Sequence, residues 1–290
     1  MPGADGRARW RFDAIGTVWE IETDAALGAA VRSEVTRLIA GFDAEWSRFR
    51  DDSVVSRLAR HGGSMAAPAD AVIMLDAFAD LSRATAGAVN PLIGAALEHR
   101  GYDRRYSFVD RGPQAAPGQW QRLLTWTADS LTLSEPALID VGALGKGRLV
   151  DLVMAAVSAV TSGAVTVDAG GDLTVRGPAQ RIGLEHPYDP RRAIGVIEVT
   201  DAALCASATN RRAWGEGLHH VLDARTGVPV RTIAATWAVA PTALRADAIA
   251  TALFFDGGPA LAHAWGVEWV RMTTDGRVEW SPGSTAELFG

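Results

Sequence analysis

The chain has a single cysteine, Cys205, which excludes an internal disulfide framework and any cysteine-rich metal centre. Lysine is equally rare: of 28 basic residues only Lys146 is a lysine and the other 27 are arginine. Heavy use of Ala, Arg and Gly points to a GC-rich coding bias, which removes lysines without any functional reason. The surviving lysine gains weight from that, because arginine does not replace a compact, rotatable ammonium. No apolar run reaches the roughly 20 residues of a membrane span before a charge interrupts it, so no span is expected. The first residues, MPGADGRARWRFDAIG, hold arginines but no apolar segment of a secretory signal. Cys205 also lies too deep in the chain to be a lipid-anchor cysteine, so a cytoplasmic location is the expectation. The net charge is −6, and no dense basic cluster interleaves with the ten tryptophans, so nucleic acid is not an expected partner. HExxH, GxSxG and CxxC are all absent.

What is present is globular: 48% of the 290 residues are hydrophobic and 21% charged. A single domain over 1–290 is expected, with the Arg-, Pro- and Gly-rich stretch 103–119 as the one place of subdivision or exposed excursion. Gly16–Thr23 alternates as a strand, and Val31, Val35, Leu38 and Phe42 recur at helical spacing. A helix is expected after Pro68, others over 147–160, 243–255 and 258–264. Strands are expected over 120–127, 130–134, 138–141, 164–168, 172–176, 180–184, 194–199, 202–206, 218–222, 235–240, 267–272 and 277–281. Many strands in succession with few helices between them indicate an α+β fold, with mixed, largely antiparallel sheets flanked by helices.

Four segments carry chemistry. Asp140-Val141-Gly142-Ala143-Leu144-Gly145-Lys146-Gly147 follows a strand and opens a helix. Its glycines allow close backbone approach, and a helix N-terminus favours phosphate. It is not a Walker loop, since Asp140 stands where the first glycine would be and Gly147 where Ser or Thr would follow the lysine. A tight strand-to-helix turn explains it equally well. Asp247 and Thr251 are i and i+4 on a helix, so their oxygens share one face and suit a hard cation such as Mg²⁺; a surface or capping pair is the plainer explanation. His219-His220 precedes the polar turn Asp223-Ala224-Arg225-Thr226-Gly227, and adjacent strand residues face opposite ways, so the two rings cannot enter one site together. Val167-Asp168-Ala169-Gly170-Gly171-Asp172 reads as a strand ending in a turn or bulge.

In this order the segments resemble the ApbE family, the FAD:protein FMN transferases. The resemblance runs from Gly16-Thr17 through Trp46-Ser47-Arg48-Phe49 with Ser53, Gly87 to Pro91, and Gly101-Tyr102-Asp103. It continues through Asp140 to Asp151, Gly170-Gly171-Asp172, Ser207 with Arg212 and Trp214, His220 to Gly227, and Ala246 to Thr251. It implies an ApbE-like flavin transferase fold, FAD as substrate and Mg²⁺ at its pyrophosphate. It also implies FMN transfer to a Thr or Ser hydroxyl of an acceptor flavoprotein with release of AMP. Hydrolysis of FAD to FMN and AMP, or flavin binding without turnover, are the alternatives. By the same resemblance Ile15, Phe49, Ala88, Val89, Asn90, Asp140, Lys146 and Val221 contact FAD. Ala143 gives a backbone carbonyl to the metal, Asp247 and Thr251 give side-chain oxygens, and His220 is the general base. Ile15 stands where the family usually has Met, Phe49 where it has Tyr, Asn90 for Asp, Ala208 for Gly and Ala224 for Pro. None of these departures removes a metal ligand.

Overall fold

The computed structural model describes residues 6–289. Its centre is an eight-stranded sheet in which spatial order follows chain order: Ala8–Ala14, Thr17–Thr23, Val165–Asp168, Asp172–Arg176, Ala203–Ala208, Ile233–Ala240, Glu268–Thr273 and Val278–Trp280. Every pairing is antiparallel. Helices α1 (Ala29–Trp46), α2 (Val54–His61), α3 (Ala71–Ala84), α4 (Gly94–His99), α5 (Trp120–Leu123) and α6 (Gly145–Ser158) all enter between the second and third strands. Helices α7 (Ala243–Ala252) and α8 (Gly258–Ala264) enter between the sixth and seventh.

Successive side chains of a strand point to opposite faces, and here both faces are covered. Ala203 and Cys205 join the helix-side core, while Leu204 joins a second core with Val175, Trp237, Val270 and Met272. That second core is closed by Leu184, Ile197 and Val199 of a three-stranded sheet, Gln180–Glu185, Ala193–Val199 and Glu287–Leu288. Double coverage is why these strands read as apolar runs rather than clean alternation. Six of the ten tryptophans are buried, and Trp280 on the outer strand is exposed.

The expected α+β class and most elements stand. The strand expected from 120 begins instead as α5, because the Trp120 indole turns back to donate to Ser82 Oγ at 3.0 Å and stacks on Trp126. Residues 138–141 form no strand; the Asp140 N–H is spent on the Pro91 carbonyl at 2.8 Å. Helix α2 had a signal in Ser53, whose hydroxyl accepts the Ser56 N–H at 3.1 Å as an N-cap. The strand Ala8–Ala14 also escapes the pattern reading. It pairs with Thr17–Thr23 through a two-residue turn in which Ile15 and Gly16 have φ of 44° and 75°, both left-handed. Residues 103–119 contain no helix or strand, and among the described residues no helix is long and apolar enough to cross a membrane.

Two helices position everything that follows. Helix α7 (ALRADAIATA) is buried on nearly all sides; only Arg245 is exposed and Thr251 half-buried. Its small alanines let α6 approach so closely that a Cβ on Gly147 would lie 2.2 Å from the Ala243 carbonyl oxygen. Asp151 of α6 caps the start of α7, its carboxylate accepting the N–H groups of Ala243 at 2.7 Å and Leu244 at 3.0 Å. Gly147→Ala must push the helices apart, so a loss of about 1–3 kcal/mol is expected in chemical denaturation. Unchanged stability would show that the crossing relaxes freely.

Candidate active site

Asp247 sits at the middle of a buried helix, where an ionised carboxylate needs compensation. Its Oδ2 accepts the Gly147 N–H at 2.9 Å, near the positive N-terminal end of α6. One turn later the Thr251 hydroxyl donates to the Ala143 carbonyl at 3.1 Å, drawing the 140–147 loop onto α7. The structure thus brings together one carboxylate, one hydroxyl and one backbone carbonyl. This all-oxygen set suits a hard cation. Among the described residues no three His, Cys, Asp or Glu side chains gather as a metal cluster, in keeping with a set that is mostly not carboxylate.

Beside it, the Lys146 ammonium lies 3.1 Å from Asp172 Oδ2. Asp172 is almost fully buried, and this oxygen has no hydrogen bond of good geometry, so the lysine charge is its compensation. Burial works against the Lys146 charge, yet Asp172 and Asp247 outweigh it and hold the ammonium above the usual lysine range. Burial, then the Asp172 charge, push the Asp247 carboxyl well above the usual carboxylate range. Two carboxylates facing so few cations favour any added positive charge. Asp172 arrives from the Gly170-Gly171 break, where both glycines have positive φ and Asp168 Oδ1 accepts their N–H groups at 2.8 and 3.2 Å. A side chain at Gly170 would meet Thr17 Oγ1 at 2.2 Å, so the turn has a packing reason as well.

The hairpin Ala213–Trp214 with Leu218–His219 brings in the histidines. The His220 N–H donates to the Arg212 carbonyl at 3.2 Å. Its Nδ1 is buried without a hydrogen-bond partner among the described residues. Burial, then the charges of Arg212 and Lys146, push His220 down to about 3, so the ring is neutral at ordinary pH. The His219 ring is engaged elsewhere. Its Nε2 donates to the Val230 carbonyl at 2.8 Å and its Nδ1 accepts the Val221 N–H at 3.3 Å, which fixes the neutral Nε2–H form. Burial lowers its pKa too.

A third group is aromatic. Phe49 lies parallel to Tyr106 with ring centroids 5.5 Å apart and edge-on to Tyr102 at 5.6 Å, while Trp214 stacks on Tyr102 at 5.3 Å. Arg48 sets its guanidinium 4.2 Å over Phe49 and pairs with Asp140 Oδ2 at 2.5 Å; Asp140 Oδ1 takes the Gly142 N–H at 2.7 Å.

A sequence profile of the ApbE family matches residues 15–269. The chain belongs to the ApbE family. It is 26% identical to a FAD:protein FMN transferase of Rhodobacter capsulatus over 96% of this chain, and spans 57% of that relative's length. It is 27% identical to a FAD:protein FMN transferase of Treponema pallidum, over 96% of this chain and 89% of the relative. Its fold is shared with the ApbE protein of Thermotoga maritima at a TM-score of 0.83 and 22% identity, covering 95% and 97% of the two chains. The Vibrio cholerae flavin transferase ApbE superposes at 0.79 with the same identity and coverage.

Within this ApbE-family chain, Thr251 meets the Ala143 carbonyl, Lys146 lies in the field of Asp247 one helical turn before Thr251, and His220 lies in the field of Lys146. Phe49 and Asp140 meet through Arg48. Ala88, Val89, Asn90 and Val221 are buried. Both ends of the Asn90 amide are engaged, Nδ2 on the Pro117 carbonyl and Oδ1 on the Leu92 N–H, each at 2.9 Å. Ile15 is half-buried at its left-handed turn. Asp172, Arg48 and Arg212 fall within segments that carry the family resemblance, but sequence reasoning assigned none of them a role: Asp172 ends what reads as a plain Gly-Gly turn, and neither arginine stands out among 27.

The two histidines should separate in stability measurements. A buried neutral His220 means the unfolded chain binds more protons than the folded one as pH falls from about 6.5 towards 3, so stability drops over that window. His220→Asn should therefore lose less melting temperature between pH 7 and pH 5 than the parent; equal losses would refute a neutral buried ring. His219→Ala should cost about 1–3 kcal/mol at pH 7, because it leaves the Val230 carbonyl unpaired.

Proposed function

We propose that this chain is a Mg²⁺-dependent FAD:protein FMN transferase, and that its site residues are those the family resemblance implies. The observation that carries the reading is the convergence of the Ala143 carbonyl, Asp247 and Thr251 beside the Lys146–Asp172 pair at the start of α6. Mg²⁺ would be held by those three oxygens, and when bound it supplies charge neutralisation to the pyrophosphate. Lys146 and the N-terminal end of α6 add positive potential at the same place, where phosphoryl transfer calls for charge stabilisation more than covalent help. The rings around Phe49 provide an apolar berth for a flavin.

In the reaction an acceptor Thr or Ser hydroxyl oxygen bonds to the FMN phosphorus, and the bond from that phosphorus to the AMP oxygen breaks. Neutral His220 takes the hydroxyl proton, and AMP leaves. Its depressed pKa keeps the imidazole ready to accept a proton across the physiological range, at the cost of basicity. Ile15, Ala88, Val89, Asn90 and Val221 are assigned to the FAD envelope; for Asn90, whose amide is engaged internally, the contact runs through the backbone or a second lone pair.

The test is incubation with FAD and Mg²⁺, with and without an acceptor flavoprotein, followed by intact mass and AMP detection. An FMN adduct on a Thr or Ser of the acceptor is expected; AMP without an adduct would identify hydrolysis instead. Asp247→Ala should abolish Mg²⁺-dependent turnover while keeping a cooperative melt, and normal turnover at limiting Mg²⁺ would remove Asp247 from the metal site. His220→Asn should cost on the order of a hundredfold or more in transfer while FAD binding survives. An active variant with an unchanged pH profile would leave another group as the base.

A further inference from the structure

Arg48 is 4% exposed, and its guanidinium is only partly satisfied. Nε is committed to Asp140 Oδ2 at 2.5 Å and Nη1 to the Tyr102 carbonyl at 2.8 Å. Nη2 is buried and has no hydrogen-bond partner among the described residues. A buried, charged N–H group without an acceptor is costly, and buried polar groups nearly always have one. The surroundings indicate what is missing. The guanidinium carbon lies 4.2 Å from the Phe49 ring centre and 5.1 Å from that of Tyr102, so the orphan donor sits among aromatic faces. Asp140 accepts one bond on each oxygen, from Arg48 and from the Gly142 N–H, and the second ties Arg48 to the loop presenting the Ala143 carbonyl.

Aromatic faces together with an in-plane N–H donor are the chemistry that recognises a flat heteroaromatic ring with carbonyl oxygens on its edge. We propose that Arg48, through Nη2, binds a ring carbonyl of the flavin, and that Asp140 acts as its positioning residue. This rests on the reading that the chain binds FAD. It adds a positioning role to the family-based assignment of Asp140, and it gives a role to a residue that pattern reading had not placed in the site.

Riboflavin, FMN and FAD share the ring and differ in their phosphates, so calorimetry with all three in Mg²⁺ locates the contact. Arg48→Lys keeps the charge but lacks the planar fork that holds Nη2 in place. It should weaken all three ligands by the same factor, about tenfold or more, as for a lost charged hydrogen bond. Asp140→Asn should weaken all three by a smaller common factor, and it carries the test alone if Arg48→Lys shows no cooperative melt. Unchanged affinities overturn the proposal. So does a loss confined to FMN and FAD, which would place Arg48 at phosphate. If the parent protein binds none of the three ligands, the FAD reading itself fails, a result distinct from either.

Discussion

Everything at the candidate site depends on compensating two buried carboxylates with the one lysine in the chain. Asp172 and Asp247 come from different elements, and each is too buried to rely on solvent. Lys146 lies 3.1 Å from the first, and the Gly147 N–H lies 2.9 Å from the second. Both compensations come from consecutive residues at the start of α6. Lys146 is the only lysine in the sequence, and the residue after it lies where α6 meets α7 with no room for a side chain.

That closeness is inherited from the fold. The sheet runs in chain order, and its two long insertions place α6 over the strands Val165–Asp168 and Asp172–Arg176 and α7 over the neighbouring strand that contains Cys205. The Cys205 thiol donates to the Ala243 carbonyl at 3.4 Å, and burial keeps that thiol protonated. It therefore acts as a small buried spacer under the α7 N-terminus. Asp151 meets the first N–H groups of α7 from the other side. A helix tied at its start by two neighbours can carry a buried acid at its middle without shifting to expose it.

Much of this was legible in the residues. Helical spacing and apolar runs located α1, α3, α6, α7 and most central strands, because double coverage of the sheet leaves an unbroken apolar signature. The Asp247–Thr251 pairing was readable as a shared helix face, although only the fold shows that the face turns inward to Ala143. Asp172 was not legible. A Gly-Gly-Asp turn looks the same whether its acid faces water or an ammonium, and the difference is made by the antiparallel pairing of its strand with Ala203–Cys205. The role of Arg48 was illegible for the opposite reason: it stands in the Trp46-Ser47-Arg48-Phe49 stretch, but among so many arginines nothing marks the one whose surroundings differ. Residues 103–119 looked like a linker because they contain no regular element. Yet Tyr106 within them and Tyr102 just before them complete the aromatic group.

The two ends of the site, the charged oxygens and the aromatic rings, are joined by one carboxylate. Asp140 binds Arg48 with one oxygen and the Gly142 N–H with the other, so the guanidinium over Phe49 and the carbonyl of Ala143 are held in one short relay. A flexible link would let each end adjust to its own part of a ligand. A carboxylate with both oxygens engaged fixes their separation instead, as preorganised sites require. A site of that kind discriminates by span: a molecule must put a flat ring and an anionic group the right distance apart to satisfy both ends at once.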